Sequence, residues 1–132
     1  MRMNADLKDS RGFSRGVRVR EARQDDAPIV VHAERASSTA AHWPETAYQN
    51  AVEQAKRMVL VAEVYGEVAG FLVASTAAAE WELENIAVQP EAQQQGIGRA
   101  LVDALIERAR AAGAAEIRQE IRASNQAALR LG

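Results

Sequence analysis

Three features of the sequence predict an α/β domain. Residues 58–64 (Met58-Val59-Leu60-Val61-Ala62-Glu63-Val64) form a nearly continuous run of apolar, mainly β-branched residues. A Tyr65-Gly66-Glu67 turn and a returning strand over 68–75 complete a hairpin. Residues 98–112 instead repeat with the period of a helix: Leu101, Val102, Leu105, Ile106 and Ala109 share one face, while Asp103, Glu107, Arg108 and Arg110 share the other. Strand-like and helix-like periods also alternate along the chain, with no internal repeat, heptad pattern or low-complexity block.

Each element follows in order. Val17-Arg18-Val19-Arg20-Glu21 alternates apolar and polar residues, as a half-buried strand does. Asp25 and Asp26 stand at a helix start with Pro28 in its first turn, and Ile29, Val30, Ala33 and Ala36 continue at helical spacing. Ser37-Ser38-Thr39 breaks that helix. Pro44 opens a second one through Tyr48, Val52 and Ala55, with Glu45 at its positive end. After the hairpin, residues 76–80 connect to a strand over 81–88, which Pro90 ends. Gly113 stops the long helix, a strand follows over 116–121, and Ser124 or Asn125 caps a last helix beginning at Gln126. Residues 1–16 read as a mobile leader and 17–132 as the domain.

Composition narrows the function. The 132 residues contain no cysteine, which excludes thiol nucleophiles, thiolate metal sites and disulfide scaffolds. Only His32 and His42 are present, so no histidine-rich metal site is expected. A net charge of −2 argues against a chain whose main partner is nucleic acid. The apolar runs are far shorter than the ~20 residues that span a bilayer, and the N-terminus lacks a signal-like apolar core. A cytoplasmic protein with no membrane partner is the expectation.

The segment richest in chemistry is Gln89-Pro90-Glu91-Ala92-Gln93-Gln94-Gln95-Gly96-Ile97-Gly98-Arg99-Ala100. A polar loop runs into glycines, and the glycines into a helix start with unpaired N–H groups and the positive end of a dipole. Without a Cβ, Gly96 and Gly98 admit a ligand oxygen close to the main chain, and Arg99 adds a cation. This is an anion site suited to phosphate or pyrophosphate. The sequence has no phosphate-loop string with Lys-Ser or Lys-Thr, and Leu101 occupies the place of a dinucleotide fingerprint's third glycine.

Gln93-Gln94-Gln95-Gly96-Ile97-Gly98 resembles the Q-x-x-G-x-G/A signature of the GNAT superfamily of acyl-CoA-dependent N-acetyltransferases. Trp81-Glu82-Leu83-Glu84-Asn85-Ile86-Ala87-Val88 and Glu120-Ile121-Arg122-Ala123-Ser124-Asn125-Gln126-Ala127-Ala128 are similar to flanking segments of its ribosomal-protein-alanine N-acetyltransferase (RimI-type) branch. The resemblance is strong over residues 81–131 and consistent in element order over 17–75. It implies a mixed, mostly antiparallel sheet flanked by helices, in which the fourth strand bulges and splays from the fifth to admit the pantetheine arm of acetyl-CoA. Ile86, Ala87 and Val88 would then supply strand backbone. Gln94, Gln95, Gly96, Ile97, Gly98 and Arg99 would cradle the pyrophosphate, and Asn125 would contact the cosubstrate near its thioester arm. Glu120 occupies the family's general-base position, with Glu84 as a second carboxylate near the cleft, and no metal is implied. The implied acceptor is a protein N-terminal α-amine, with a lysine or small-molecule amine as the alternative.

The sequence departs from the branch at its end. Gly132 stands where relatives carry the tyrosine that protonates the departing thiolate, and the rest of the last helix and the closing two strands are missing. The expectation is a C-terminally incomplete domain, either a fragment of a longer chain or a naturally shortened and impaired one, whose open edge beside residues 116–121 is an association hazard or a surface for homodimerisation. The rival reading is a non-catalytic acyl-CoA-binding or dimerising remnant.

Overall fold

The strands β1 (Val17–Glu21), β2 (Arg57–Val64), β3 (Glu67–Ser75), β4 (Glu80–Val88), β5 (Glu116–Ile121) and β6 (Asn125–Arg130) lie side by side in chain order in one sheet. The structure, a computed structural model, describes residues 16–37, 42–77, 79–92, 95–121 and 125–130. Every neighbouring pair is antiparallel except β4 and β5, which run parallel. That single parallel step requires a crossover, and helix α3 (Ile97–Ala111) supplies it. Helices α1 (Ala27–Arg35) and α2 (Glu45–Glu53) connect β1 to β2 and cover the opposite face.

The apolar residues sort onto these two faces by period. Ile97, Leu101, Ala104 and Leu105 of α3 pack on Leu60, Leu72, Trp81, Leu83 and Ile117. On the other face Val30, Ala33, Tyr48 and Ala51 pack on Val59, Val61, Phe71, Val73 and Ala87. Successive residues of β2 and β3 therefore serve opposite cores, which is why both strands read as continuous apolar runs rather than alternating ones. The hairpin turns at Tyr65 and Gly66, with Val64 paired to Glu67.

The first helix begins where the sequence expectation puts it, with Asp26 at its N-cap position and Pro28 in its first turn, but a further turn precedes it. Residues Gln24–Asp26 form a short 3₁₀ turn, and α1 starts at Ala27. The Asp26 carboxylate does not cap α1. It accepts both Arg20 Nη1 at 2.9 Å and Nη2 at 3.1 Å, and the Arg23 N–H at 2.7 Å. Arg20 Nε reaches Glu63 at 2.7 Å, so one guanidinium ties β1, β2 and the turn together.

A second difference lies at the end of the chain. Asn125 does not cap a helix, and no helix begins at Gln126. Residues Asn125–Arg130 instead form β6, antiparallel to β5 from Ile121↔Asn125 to Glu116↔Arg130. Ser124, the alternative cap, lies outside the described residues. The physical reason is the free edge of β5. Its unpaired N–H and C=O groups are met by the chain that follows after a short connection, and this outweighs the local helical preference of Gln126-Ala127-Ala128-Leu129. The edge beside β5 is therefore paired and not open, which removes the dimer surface expected there. Of the expected leader, residues 1–16, all but Gly16 lie outside the described residues.

Candidate active site

The sheet forks between β4 and β5. Their parallel pairing runs from Glu80↔Glu116 to Leu83↔Gln119 and stops. The next residue on each strand is a carboxylate, Glu84 on β4 and Glu120 on β5. On its other side β4 is bulged at the same point: Ala74 pairs with Leu83 and Val73 with Asn85, leaving Glu84 as the extra residue. The bulge reverses which face each side chain serves. Trp81 and Leu83 belong to the α3 core before it, whereas after it Ile86 and Val88 take that face and Ala87 joins the α1–α2 core.

Pairing phase also sets where the β4 main chain points. The Gln89 N–H donates to Ala69 O at 2.8 Å, which fixes a hydrogen-bonded pair in the 69–89 register. Alternation then makes Phe71↔Ala87 a hydrogen-bonded pair, while Leu72↔Ile86 and Gly70↔Val88 are not. The main-chain groups of Ile86 and Val88 accordingly turn away from β3 toward the fork. Those of Ala87 turn to β3.

At the far end of β4, a 3₁₀ turn over Pro90–Ala92 leads to the start of α3. Gly96 is its N-cap residue, with φ +79°, and the first helical bond runs from the Ala100 N–H to Gly96 O at 2.9 Å. The N–H groups of Ile97, Gly98 and Arg99 therefore emerge from the helix end without an intrahelical acceptor. A Cβ on Gly98 would meet only Val88 Cγ2, at 3.8 Å, so this position faces open space beside the end of β4. Gly70 is the opposite case. A Cβ there would stand 2.9 Å from Ala87 O and 3.3 Å from Ile97 Cγ2, so its absence lets α3 and β4 close over β3. Main-chain donors, a helix dipole and the exposed Arg99, paired loosely with Asp103 at 3.7 Å, suit a pyrophosphate at this end of the fork.

The α1–α2 face carries a buried polar network. Glu34 has no exposed surface. Its Oε1 accepts the Tyr48 hydroxyl and the Trp43 N–H, the latter at 2.7 Å. Its Oε2 lies 2.8 Å from Arg35 Nε and 3.2 Å from His42 Nδ1. Burial pushes the Glu34 carboxyl up, but hydrogen bonds from Tyr48, Trp43 and Arg35 outweigh it and hold the group below the usual glutamate range. Burial first, and then the Glu34 carboxylate, drive the Tyr48 phenol far above its usual value, so it stays protonated. The Tyr48 oxygen in turn accepts Asn85 Nδ2 at 3.0 Å, and Asn85 Oδ1 accepts the Ile86 N–H at 3.1 Å.

Glu84 also faces this side of the sheet. Arg57 Nε lies 3.2 Å from its Oε1 and Nη2 3.3 Å from its Oε2, while the guanidinium sits 5.9 Å from the Trp43 ring centroid. The buried Oε1 has this ion pair but no aligned hydrogen bond. Trp43 stacks on Tyr48 at 5.3 Å, which brings the His42-Trp43-Pro44 loop to the fork.

The structure thus gathers Glu84, the Glu120 backbone, Ile86 and Val88 at the fork, with Gly96, Ile97, Gly98 and Arg99 at one end of it. Gln95 lies beside them, its Nε2 reaching Glu91 O at 3.4 Å. Gln94, like Gln93, lies outside the described residues. Asn125 sits in β6, paired with Ile121. Sequence reasoning missed Glu34, Asn85 and Gly70, and took Tyr48 only as part of a helix face. A signal for Glu34 existed: it stands four residues after Val30, on the stripe where α1 is otherwise apolar. Among the described residues no cluster of His, Asp and Glu is arranged to hold a metal ion, and no helix is long and apolar enough to cross a membrane.

A forked β4–β5 sheet with an anion-binding helix start at its end defines an acyl-CoA-dependent acyltransferase, and comparison agrees. The model of the Acetyltransferase (GNAT) family matches residues 17–131, and the chain belongs to that family of N-acetyltransferases, which use acetyl-CoA as cosubstrate. It is 36% identical over 107 residues to the ribosomal protein bS18-alanine N-acetyltransferase of Escherichia coli strain K12, spanning 80% of this chain and 70% of that protein. The crystal structure of the ribosomal-protein-S18-alanine N-acetyltransferase from Escherichia coli superposes with a TM-score of 0.74 at 30% identity, covering 83% of this chain and 69% of that one. Rv2747 from Mycobacterium tuberculosis, solved in complex with CoA and NLQ, superposes with a TM-score of 0.69 at 26% identity, covering 80% and 65%.

Proposed function

We propose that this acetyltransferase acts on the α-amine of a protein N-terminus, and that the fork between β4 and β5 is where transfer occurs. The observation that carries the reading is the coincidence, at one register step, of the end of β4–β5 pairing, the Glu84 bulge and two carboxylate residues. The similarity to alanine N-acetyltransferases favours an α-amine over a lysine side chain.

Acetyl-CoA supplies the acetyl group as a thioester. Gln94, Gln95 and the N–H groups from Gly96 to Arg99 hold the pyrophosphate, and the fork-facing main chain of Ile86 and Val88 pairs with the pantetheine arm. Ala87 supports that strand through β3, and Asn125 lies toward the cosubstrate's thioester end. The Ile86 N–H is the donor for the thioester carbonyl, where negative charge grows as the amine attacks. Glu84 attracts the acceptor ammonium to the fork and Glu120 takes its proton; the freed amine then bonds to the thioester carbon, the C–S bond breaks, and CoA leaves as a thiolate that takes up the proton the new amide nitrogen sheds. Trp43 and His42 border the acceptor's path.

The test is an acetyl-transfer assay with radiolabelled acetyl-CoA and two peptides of one sequence, one with a free N-terminus and one N-blocked with an internal lysine. Label on the free N-terminus alone is expected. Label on the blocked peptide, or on neither, overturns the acceptor assignment.

A further inference from the structure

The network behind Asn85 has a direction. Ionised Glu34 can only accept hydrogen bonds, so the Tyr48 hydroxyl must spend its one proton on Glu34 Oε1. The Tyr48 oxygen is then an acceptor toward Asn85, which turns the amide so that Nδ2 meets it at 3.0 Å. The carbonyl end of the same amide is thereby left facing the Ile86 N–H, 3.1 Å away. A buried carboxylate on α1 thus dictates, through two side chains, what meets a main-chain amide at the fork. Asn85 is the first residue after the bulge and is itself buried, so this amide plane also pins the strand where its faces reverse.

We infer that Glu34, Tyr48 and Asn85 are positioning residues: their one-way hydrogen-bond relay holds the Ile86 amide aimed into the fork, ready for the acetyl carbonyl. The inference rests on the reading of Ile86 as the donor to the thioester. With the relay intact, the Asn85 carbonyl occupies the Ile86 N–H until the acetyl oxygen takes it over, and the strand does not rotate that N–H away. Without the Tyr48 hydroxyl, Asn85 Nδ2 loses the acceptor it meets at 3.0 Å, and without the Glu34 charge the Tyr48 proton is free to turn toward Asn85. The NH₂ end of the Asn85 amide can then swing toward Ile86, opposing one donor with another.

CoA provides the control, because it differs from acetyl-CoA only in carrying a thiol in place of the acetyl thioester. The experiment is calorimetric titration of the whole chain with acetyl-CoA and with CoA, for the wild type and Tyr48→Phe. Phenylalanine keeps the ring contacts with Trp43 and Phe71 and removes only the hydroxyl. The expected result is acetyl-CoA binding weakened about five-fold, the worth of one ordinary hydrogen bond, with CoA binding changed by less than about two-fold. Glu34→Ala, which removes the acceptor of the Tyr48 proton and lets that hydroxyl turn toward Asn85, should move the same ratio. The double variant should add nothing further. If Tyr48→Phe does not fold, Glu34→Ala reads the same ratio on its own. A variant in which both ligands are unchanged, or weaken equally, overturns the inference while leaving acetyl transfer standing. A wild type that binds neither ligand overturns the cosubstrate site itself, and the relay with it.

Discussion

Replacing Gly98 with glutamate separates folding from cosubstrate binding. A side chain at this position meets no protein atom closer than Val88 Cγ2, 3.8 Å from an ideal Cβ, so the fold has room for it. Position 98 is the second residue of α3 after the Gly96 cap. Glycine in a helix is worse than an ordinary residue by about 0.5–1 kcal/mol, and a carboxylate in the first turn gains ~0.3–1 kcal/mol from the dipole. The unliganded variant should therefore melt at or above the wild-type temperature. Binding responds in the opposite sense. A carboxylate ~5 Å from one phosphate charge costs about 3 kcal/mol at an effective dielectric near 20, or roughly 10²-fold in Kd, before any steric conflict is added. Acetyl-CoA at ~100 times its Kd should stabilise the wild type by about 2.7 kcal/mol, a rise of several degrees in a chain of this size. The assay is a thermal melt with and without acetyl-CoA, with ATP as control. A variant that melts normally and still shifts with acetyl-CoA refutes the helix start as the pyrophosphate site. A variant that melts far below the wild type refutes the claim that the space there is empty.

Other substitutions probe the rest of the site. Glu120→Gln should leave acetyl-CoA affinity within about two-fold while slowing transfer by ~10²-fold or more and removing the basic group from its pH profile; an unchanged rate and profile would exclude Glu120 as the base. Gly70→Ala forces a Cβ to within 2.9 Å of Ala87 O and should cost about 1–3 kcal/mol, read as a lower melting temperature together with weaker acetyl-CoA binding. Loss of stability without loss of binding would show that Gly70 does not set the approach of α3 to β4. In acid, Asp26 is held below its usual range chiefly by Arg20, and Glu34 by its hydrogen-bond donors. A folded pKa below the unfolded value gives stability that is whole above about pH 4 and is lost as pH falls through the folded values. Melts between pH 5 and 2 should steepen accordingly, and Asp26→Asn should flatten that limb; identical limbs would show that the Arg20 contact does not stabilise the fold.

Much of the fold is legible in the sequence because its signals are local. The hairpin over β2 and β3, the α3 stripe, the strand over 116–121 and the loop into Gly96 and Gly98 each declare themselves within a dozen residues. The last element does not, since Gln126-Ala127-Ala128-Leu129 has helical propensity and its strand state depends on the distant β5 edge. The bulge is hidden for a related reason: Trp81, Leu83, Asn85 and Ala87 alternate evenly, and only pairing with β3 shows that the face changes between Leu83 and Asn85. The relay is hidden because a glutamate on a helix ordinarily reads as a solvated residue. Glu34 is buried only because Tyr48 of α2, the Trp43 main chain and Arg35 converge on it from three places.

The position of the fork has its own physical logic. Were the parallel ladder of β4 and β5 to continue one step, it would set Glu84 beside Glu120, and like charges side by side destabilise a sheet. The bulge at Glu84 adds a second obstacle, because it twists β4 away and reverses its faces at that step. Arg57 relieves part of the charge by pairing with Glu84, with Trp43 against its guanidinium. What remains is a break in the ladder with Glu84 next on β4 and Glu120 next on β5, at the step where β4 bulges. Such a break favours a positively charged occupant, and an acceptor amine arrives as an ammonium ion. On the proposed reading, the step at which the sheet stops pairing is also the one that draws the acceptor in. Glu120 of β5 then takes the proton that the amine must lose, and on the same reading the Ile86 N–H passes from Asn85 Oδ1 to the oxygen that gains charge as the amine attacks.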